Sequence, residues 1–355
     1  MAYPPISETV LNTSIKSNAH EPYYSYQSDI DLYDIHQFTN GQPFKTYDDL
    51  RTNSPIYFQN PPEWDVEPGA WMLTSYKDIM EVSSNPKIFS SQAATGNLMT
   101  LGNPETRHPK LWQTSIDHML NLDGSFHLDL RREHMPFFKP GYVDELHKKV
   151  EIKVETLLDA IAKVGKSNLV KDLSQQIPIF TLSEVLGIPE EDRHKLATWM
   201  EFLELAQYFA AENMKQTQGK AEEMEVDTSM IELFESMIGE MFDYGKHILQ
   251  EKRMNPQNDL LSAIANAELD GAKLSQEYLD GSWLLIIFAG NDTTRNSISG
   301  AIKLLSEFPE QKKKLLSNLD LLPNFAQETI RMVSPVIHMR RTTTCETTLG
   351  NQKLG

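Results

Sequence analysis

The residues best placed to do chemistry are an acid and an alcohol side by side, Asp292 and Thr293. They lie in the run Leu284-Leu285-Ile286-Ile287-Phe288-Ala289-Gly290-Asn291-Asp292-Thr293-Thr294-Arg295-Asn296-Ser297. Burying a carboxyl and two hydroxyls in so apolar a segment costs free energy unless each has a partner or a task. Gly290 costs about 1 kcal/mol against Ala in a helix interior and removes the side chain facing any close neighbour. Thr293, four residues after Ala289, can return its hydroxyl to that carbonyl and bend the helix. Together these predict a notch, wide enough for a small molecule and lined by an acid and an alcohol. The same residues also suit an ordinary core helix with a tolerated glycine and a capped polar cluster. Two further pairs have helical spacing, Glu328 with Arg331 and His127 with Arg131; either pair alone would mark only a solvated helix face.

The acid and the alcohol need a long helix to hold them. No proline interrupts the chain from about Gln276 to Glu307, and Pro309 marks the end. One helix of ~32 residues would span roughly 48 Å, and the apolar stretch from Trp283 to Phe288 predicts burial on nearly all sides over its first half. From Asp144 onward the chain reads as successive helices, with a stripe at Val150, Val154, Leu157, Leu158 and Ile161, and a stop at Gly187 before Pro189. Further helices are predicted at 195–211, 230–250, 259–267, 311–319 and 323–332, with a charged linker over 216–227. Before them come a short helix at 47–51, strands at 55–58 and 70–74, and helical spacing over 76–89. A Gly-, Asn-, Pro- and Thr-containing loop follows over 90–114, of the kind that is functional or disordered. Residues 1–30 read as a loosely ordered arm and 31–355 as one domain. The Thr-rich stretch 339–349 returns to strand. The fold class is mainly α with a minor β-sheet drawn from both ends of the chain.

The 355 residues carry a formal net charge of −17, which argues against nucleic acid or an anionic membrane as partner. The single cysteine, Cys345, excludes an internal disulfide framework and suits a reducing cytosol. No signal-peptide pattern and no run of ~18 apolar residues is present, so a cytoplasmic chain without a membrane anchor is expected. His118, His134 and His338 lack metal-ligand spacing. Lys252-Arg253 and Lys312-Lys313-Lys314 read as solvated helix faces.

The run Ala289-Gly290-Asn291-Asp292-Thr293-Thr294 resembles the central-helix signature of the cytochrome P450 haem-thiolate monooxygenases. Glu328-Thr329-Ile330-Arg331 resembles their Glu-x-x-Arg motif, and His127-Leu128-Asp129-Leu130-Arg131 resembles their His-x-x-x-Arg helix. All three stand in the family's order, and the resemblance covers about Asp31 to Gly355. Gly290 through Gly300, Leu322-Pro323-Asn324, Ser334-Pro335-Val336 and His338-Met339-Arg340-Arg341-Thr342 further resemble the bacterial branch that hydroxylates alkanes and fatty acids at the terminal carbon. Steroid side-chain hydroxylases share part of this pattern and are the alternative; a non-catalytic helical protein of the same ancestry is a third reading.

The resemblance implies haem b, with His127, Arg131 and Arg340 on its propionates and Gly290 leaving room for dioxygen. Thr293 would hydrogen-bond the bound oxygen and Asp292 would relay protons. Leu285, Ala289, Val336 and Ile337 would line the pocket of a small apolar substrate. Glu328 and Arg331 would form a buried structural ion pair. Electrons would come from NAD(P)H through a reductase and a ferredoxin, for which Arg132, Lys139, Lys148 and Lys149 are candidate contacts.

The chain departs from the family in two places. Asp123-Gly124-Ser125-Phe126 stands where relatives carry Asp-Pro-Pro, and the glycine-rich loop that bears the axial cysteine has no counterpart. Cys345 lies in Thr344-Cys345-Glu346-Thr347 and is not assigned as the ligand, so no metal ligand is expected within these residues. The expectation is a chain truncated before the cysteine loop and, as it stands, inactive alone.

Overall fold

The computed structural model describes residues 30–32, 34–38, 41–59, 69–92, 109–203, 205, 228–269 and 271–354. The expected N-terminal arm, the linker over 216–227 and most of the loop over 90–114 lie outside these residues.

In chain order, α1 (Phe44–Asn53) leads into the hairpin of β1 (Ile56–Gln59) and β2 (Ala70–Leu73). Then come α2 (Tyr76–Ser83), capped by Ser75 on the Asp78 amide, β3 (Phe89–Ser90) and α3 (Pro109–Thr114). A helix therefore occupies the end of the stretch expected to be loop. α4 (Gly124–His134) and α5 (Pro140–Val164) follow. α6 (Gln176–Leu186) ends where Gly187, at φ +67°, adopts the left-handed cap that glycine takes most easily. Residues 193–203 form α7, succeeded by α8 (Thr228–Met254) and α9 (Leu260–Asn266), the latter capped by Asp259 on the Ser262 amide. The small hairpin of β4 (Glu268–Leu269) and β5 (Ala272–Lys273) precedes α10 (Gln276–Glu307), whose bounds match the sequence expectation. α11 (Pro309–Ser317), α12 (Leu322–Val333), β6 (Thr342–Thr343), β7 (Thr347–Leu349) and β8 (Gln352–Leu354) complete the series. Among the described residues no helix is long and apolar enough to cross a membrane.

The described chain divides into two compact units. The first, from residues 129–205 and 228–338, is almost wholly helical. α10 packs there on α6, α8 and α12, around a core of Trp199, Trp283, Tyr278, Met241 and Ile287. Trp283 donates its indole N–H to the Met241 carbonyl at 2.9 Å, and its ring lies 5.8 Å from that of Tyr244. One expectation fails here. Lys252, read as part of a solvated face, is buried and bonded to Asp259 Oδ2 at 2.5 Å and to Gln257 Oε1 at 2.7 Å. The sequence shows the basic pair Lys252-Arg253 but not the acid that folds back seven residues later to meet it. A Cβ on Gly187 would stand 2.3 Å from Asp259 Oδ2, so the end of α6 closes the same knot. Lys312, Lys313 and Lys314 are exposed, as expected.

The second unit takes residues 30–128 and 339–354. Ile56, Phe89, Leu349 and Leu354 form its apolar cluster, with Trp71, Leu73, Val82 and Ile88 packed against it. Among the described residues the expected strands β1 and β2 pair only with each other. The strand that meets the C-terminal stretch is β3, antiparallel to β6 with Phe89 opposite Thr343, where the sequence predicts the end of a helix and the start of a loop. The Asp123 carboxylate accepts from the Ser90 hydroxyl and from the backbone amides of Ser91 and Gln92, which fixes the turn after β3.

Candidate active site

The middle of α10 carries the predicted acid and alcohol without any break in the helix. Thr293 donates its hydroxyl to the Ala289 carbonyl at 3.1 Å, the back-bond expected from the four-residue spacing. At about 100° per residue, Ile287 and Asn291 share one side of the helix, and both are buried. Leu285, Ala289 and Asp292 point the other way, and Thr293 falls between that side and the one bearing Gly290. Burial was expected on nearly all sides through Phe288, yet Phe288 is 37% exposed and Ala289 is exposed as well. α10 is buried from Tyr278 to Trp283, partly buried over 284–286, and open at Phe288 and Ala289, one turn before the acid.

Three features around this opening go beyond the expectations drawn from the sequence. A Cβ on Gly290 would lie 2.7 Å from Leu182 Cδ1, so the glycine lets α6 and α10 approach. Asp292 Oδ1 accepts from Arg295 Nη2 at 2.5 Å and from Asn296 Nδ2 at 3.1 Å. Asn291 is 2% exposed and its Oδ1 accepts no hydrogen bond among the described residues. Leu182, Arg295 and Asn296 were missed; for the last two, the i+3 and i+4 positions were the available signal.

The other expected residues are distributed as follows. His127 and Arg131 stand one turn apart on α4. His127 Nδ1 lies 3.1 Å from the Met119 carbonyl; because a carbonyl can only accept, Nδ1 carries the proton in that bond and Nε2 is left for any other partner. Arg131 is exposed, Arg340 partly buried. Beside Arg340, burial pulls the Arg341 guanidinium below its ordinary value and the Asp123 charge opposes that shift. Val336 and Ile337, in the coil after α12, are exposed.

Glu328 and Arg331 do pair, with both Arg331 Nε and Nη2 donating to the carboxylate at 2.7 and 2.6 Å. The expectation of burial is corrected: the two side chains are 58% and 66% exposed, because the face of α12 that carries them packs against nothing described. Among the basic candidates for a ferredoxin face, Arg132 pairs with Asp129, Lys148 with Glu145 and Lys149 with Glu184. Burial pushes Glu184 up, but Lys149 and Arg193 outweigh it and hold the carboxyl below its usual range.

In kind, these residues fit the haem that the resemblance implies. Uncovered apolar side chains (Phe288, Ala289, Val336, Ile337) suit the macrocycle, and cationic donors (Arg131, Arg340) with the imidazole of His127 suit its carboxylates. Cys345 is exposed in the turn between β6 and β7 and receives no axial role.

The cytochrome P450 family model matches residues 98–354. A linalool 8-monooxygenase of Pseudomonas putida is 29% identical over 325 residues, covering 91% of this chain and 75% of that protein. A methyl-branched lipid omega-hydroxylase of Mycobacterium tuberculosis is 28% identical over 318 residues, covering 86% of this chain and 67% of that protein. Among solved structures, a Mycobacterium marinum cytochrome P450 in complex with pseudoionone superposes with a TM-score of 0.77 at 27% identity, over 94% of this chain and 77% of that one.

Proposed function

The chain belongs to the cytochrome P450 family and is a monooxygenase, and from that premise we propose that it hydroxylates an alkane or fatty acid at the terminal carbon. The proposal includes a cytoplasmic setting and electrons passed from NAD(P)H through a reductase and a ferredoxin. Haem, when bound, supplies the activation of dioxygen. The chain's own residues bind, orient and move protons. His127, Arg131 and Arg340 would hold the propionates. Thr293 has committed its own proton to the Ala289 carbonyl, so its oxygen meets a ligand as an acceptor and orients a donor there. Asp292 would take protons from solvent and pass them on through water. Leu285, Ala289, Val336 and Ile337 would wall an apolar chain.

The observation that carries this reading is the opening of α10, where the buried turns from Tyr278 to Trp283 give way to partly buried Leu284–Ile286, exposed Phe288 and Ala289, and a part-exposed acid and threonine. The lipid omega-hydroxylase among the relatives supports the terminal position. A second reading, a steroid side-chain hydroxylase, is favoured by two Mycolicibacterium smegmatis relatives named steroid C26-monooxygenases, 25% and 26% identical. A spectral titration of the haem-loaded protein separates the two. Tight, saturable shifts with a long alkane or fatty acid and none with a sterol are expected; the reverse order would overturn the first reading.

A further inference from the structure

Asp292 is held by its own helix in a manner that distinguishes its two oxygens. Both donors converge on Oδ1, Arg295 Nη2 at 2.5 Å and Asn296 Nδ2 at 3.1 Å. Among the described residues no hydrogen bond reaches Oδ2. The Arg295 side chain is 15% exposed against 41% for Asp292, so the clamp is anchored inside and the acid faces outward. Donors at i+3 and i+4 draw Oδ1 towards the C-terminal turn, while the Thr293 hydroxyl is drawn back one turn to Ala289. A planar guanidinium and an amide on one oxygen leave the carboxylate little freedom to rotate.

We propose that Arg295 and Asn296 are positioning residues of the proton relay, fixing Asp292 so that Oδ2 alone takes up and releases each proton. One proton enters Oδ2 from solvent and one leaves it towards Thr293, so the carboxylate is restored after each transfer. Arg295 balances its charge in the deprotonated half of the cycle. The inference rests on Asp292 being the relay acid. A mere helix-stabilising ion pair would alter stability but neither coupling nor proton transfer.

The test uses Arg295→Met, Arg295→Lys and Asn296→Ala, with Asp292→Asn as control. In the haem-loaded full-length protein turning over a long-chain fatty acid, the readouts are the share of consumed oxygen released as hydrogen peroxide and the solvent deuterium isotope effect. A double-mutant cycle on thermal unfolding of the haem-free chain reads the contacts themselves. Arg295→Met should slow product formation about tenfold, by misplacing a proton donor, and shift the isotope effect in the direction Asp292→Asn does. Asn296→Ala should do the same to a smaller extent, Arg295→Lys should recover part of the loss, and both pairs should be non-additive in unfolding. Should Arg295→Met fail to fold, Asn296→Ala carries the test. Uncoupling by Asp292→Asn with wild-type coupling and isotope effect in the other variants would overturn the clamp alone, as would additive unfolding. Full coupling in Asp292→Asn would remove the relay reading and the clamp with it.

Discussion

Replacing Gly290 by alanine puts a methyl group where Leu182 already is. The new Cβ would lie 2.7 Å from Cδ1, 3.1 Å from Cδ2 and 3.4 Å from Cγ of that leucine, inside the ~3.5–4.0 Å at which carbon atoms attract. Leu182 is buried on α6, so its side chain has little room to swing away. Two terms oppose each other. Alanine favours the helix by about 1 kcal/mol, and overpacking costs about 1–3 kcal/mol. The net expectation is a loss of about 0–2 kcal/mol. In a Leu182→Ala background the crowding is gone, and the same Gly290→Ala change should stabilise by about 1 kcal/mol. Urea denaturation of the four proteins in this cycle measures both numbers and a coupling of about 1–3 kcal/mol. If Gly290→Ala stabilises the unaltered chain by the same amount as in the Leu182→Ala background, the close approach of α6 and α10 is not what requires glycine. A fully stable Gly290→Ala protein that binds dioxygen poorly would return this residue to the role expected from the sequence.

Removing either partner of the buried Lys252–Asp259 pair strands the other charge, so Lys252→Met or Asp259→Asn should each cost about 3–5 kcal/mol in chemical denaturation, and the double variant less than their sum. Burial pushes His118 and His134 down from 6.5 to about 4, so the unfolded chain takes up these protons first as pH falls. Their stabilisation is therefore complete above pH 6.5 and is lost between 6.5 and 4, by up to about 3 kcal/mol for each; a denaturation midpoint that stays flat from pH 7.5 to 4.5 would contradict this. Thr293→Ala removes the acceptor hydroxyl from the opening in α10, so oxygen consumption should continue while peroxide replaces product; coupling equal to wild type would show that this hydroxyl plays no part.

How much was legible depended on how local its cause was. The bounds of α10 follow from the proline-free run and Pro309, and the stop at Gly187 from the glycine cap. The Thr293–Ala289 bond needs only a four-residue spacing. What eluded the sequence depends on distant packing. Whether Glu328 and Arg331 are covered is decided by what lies against α12, and spacing is silent on that. Lys252 looks like any surface lysine until Asp259 and Gly187 arrive from two other elements. The opening at Phe288 and Ala289 is likewise a property of what α10 does not touch.

The pairing of β3 with β6 sets an order of events in the making of the protein. Thr344 bonds the Lys87 carbonyl across 257 residues of chain, so β3 has no partner strand until the residues between them have been synthesised. At about 5–20 residues per second the first strand waits about 13–50 s for the second. During that interval Phe89, which ends 5% exposed, lacks Leu349 and Leu354 to pack against. The helical unit, whose contacts all lie between the two, can close in the meantime. The nascent chain thus spends that interval with an unmatched strand and an uncovered phenylalanine, which is where a holding chaperone would have most to protect.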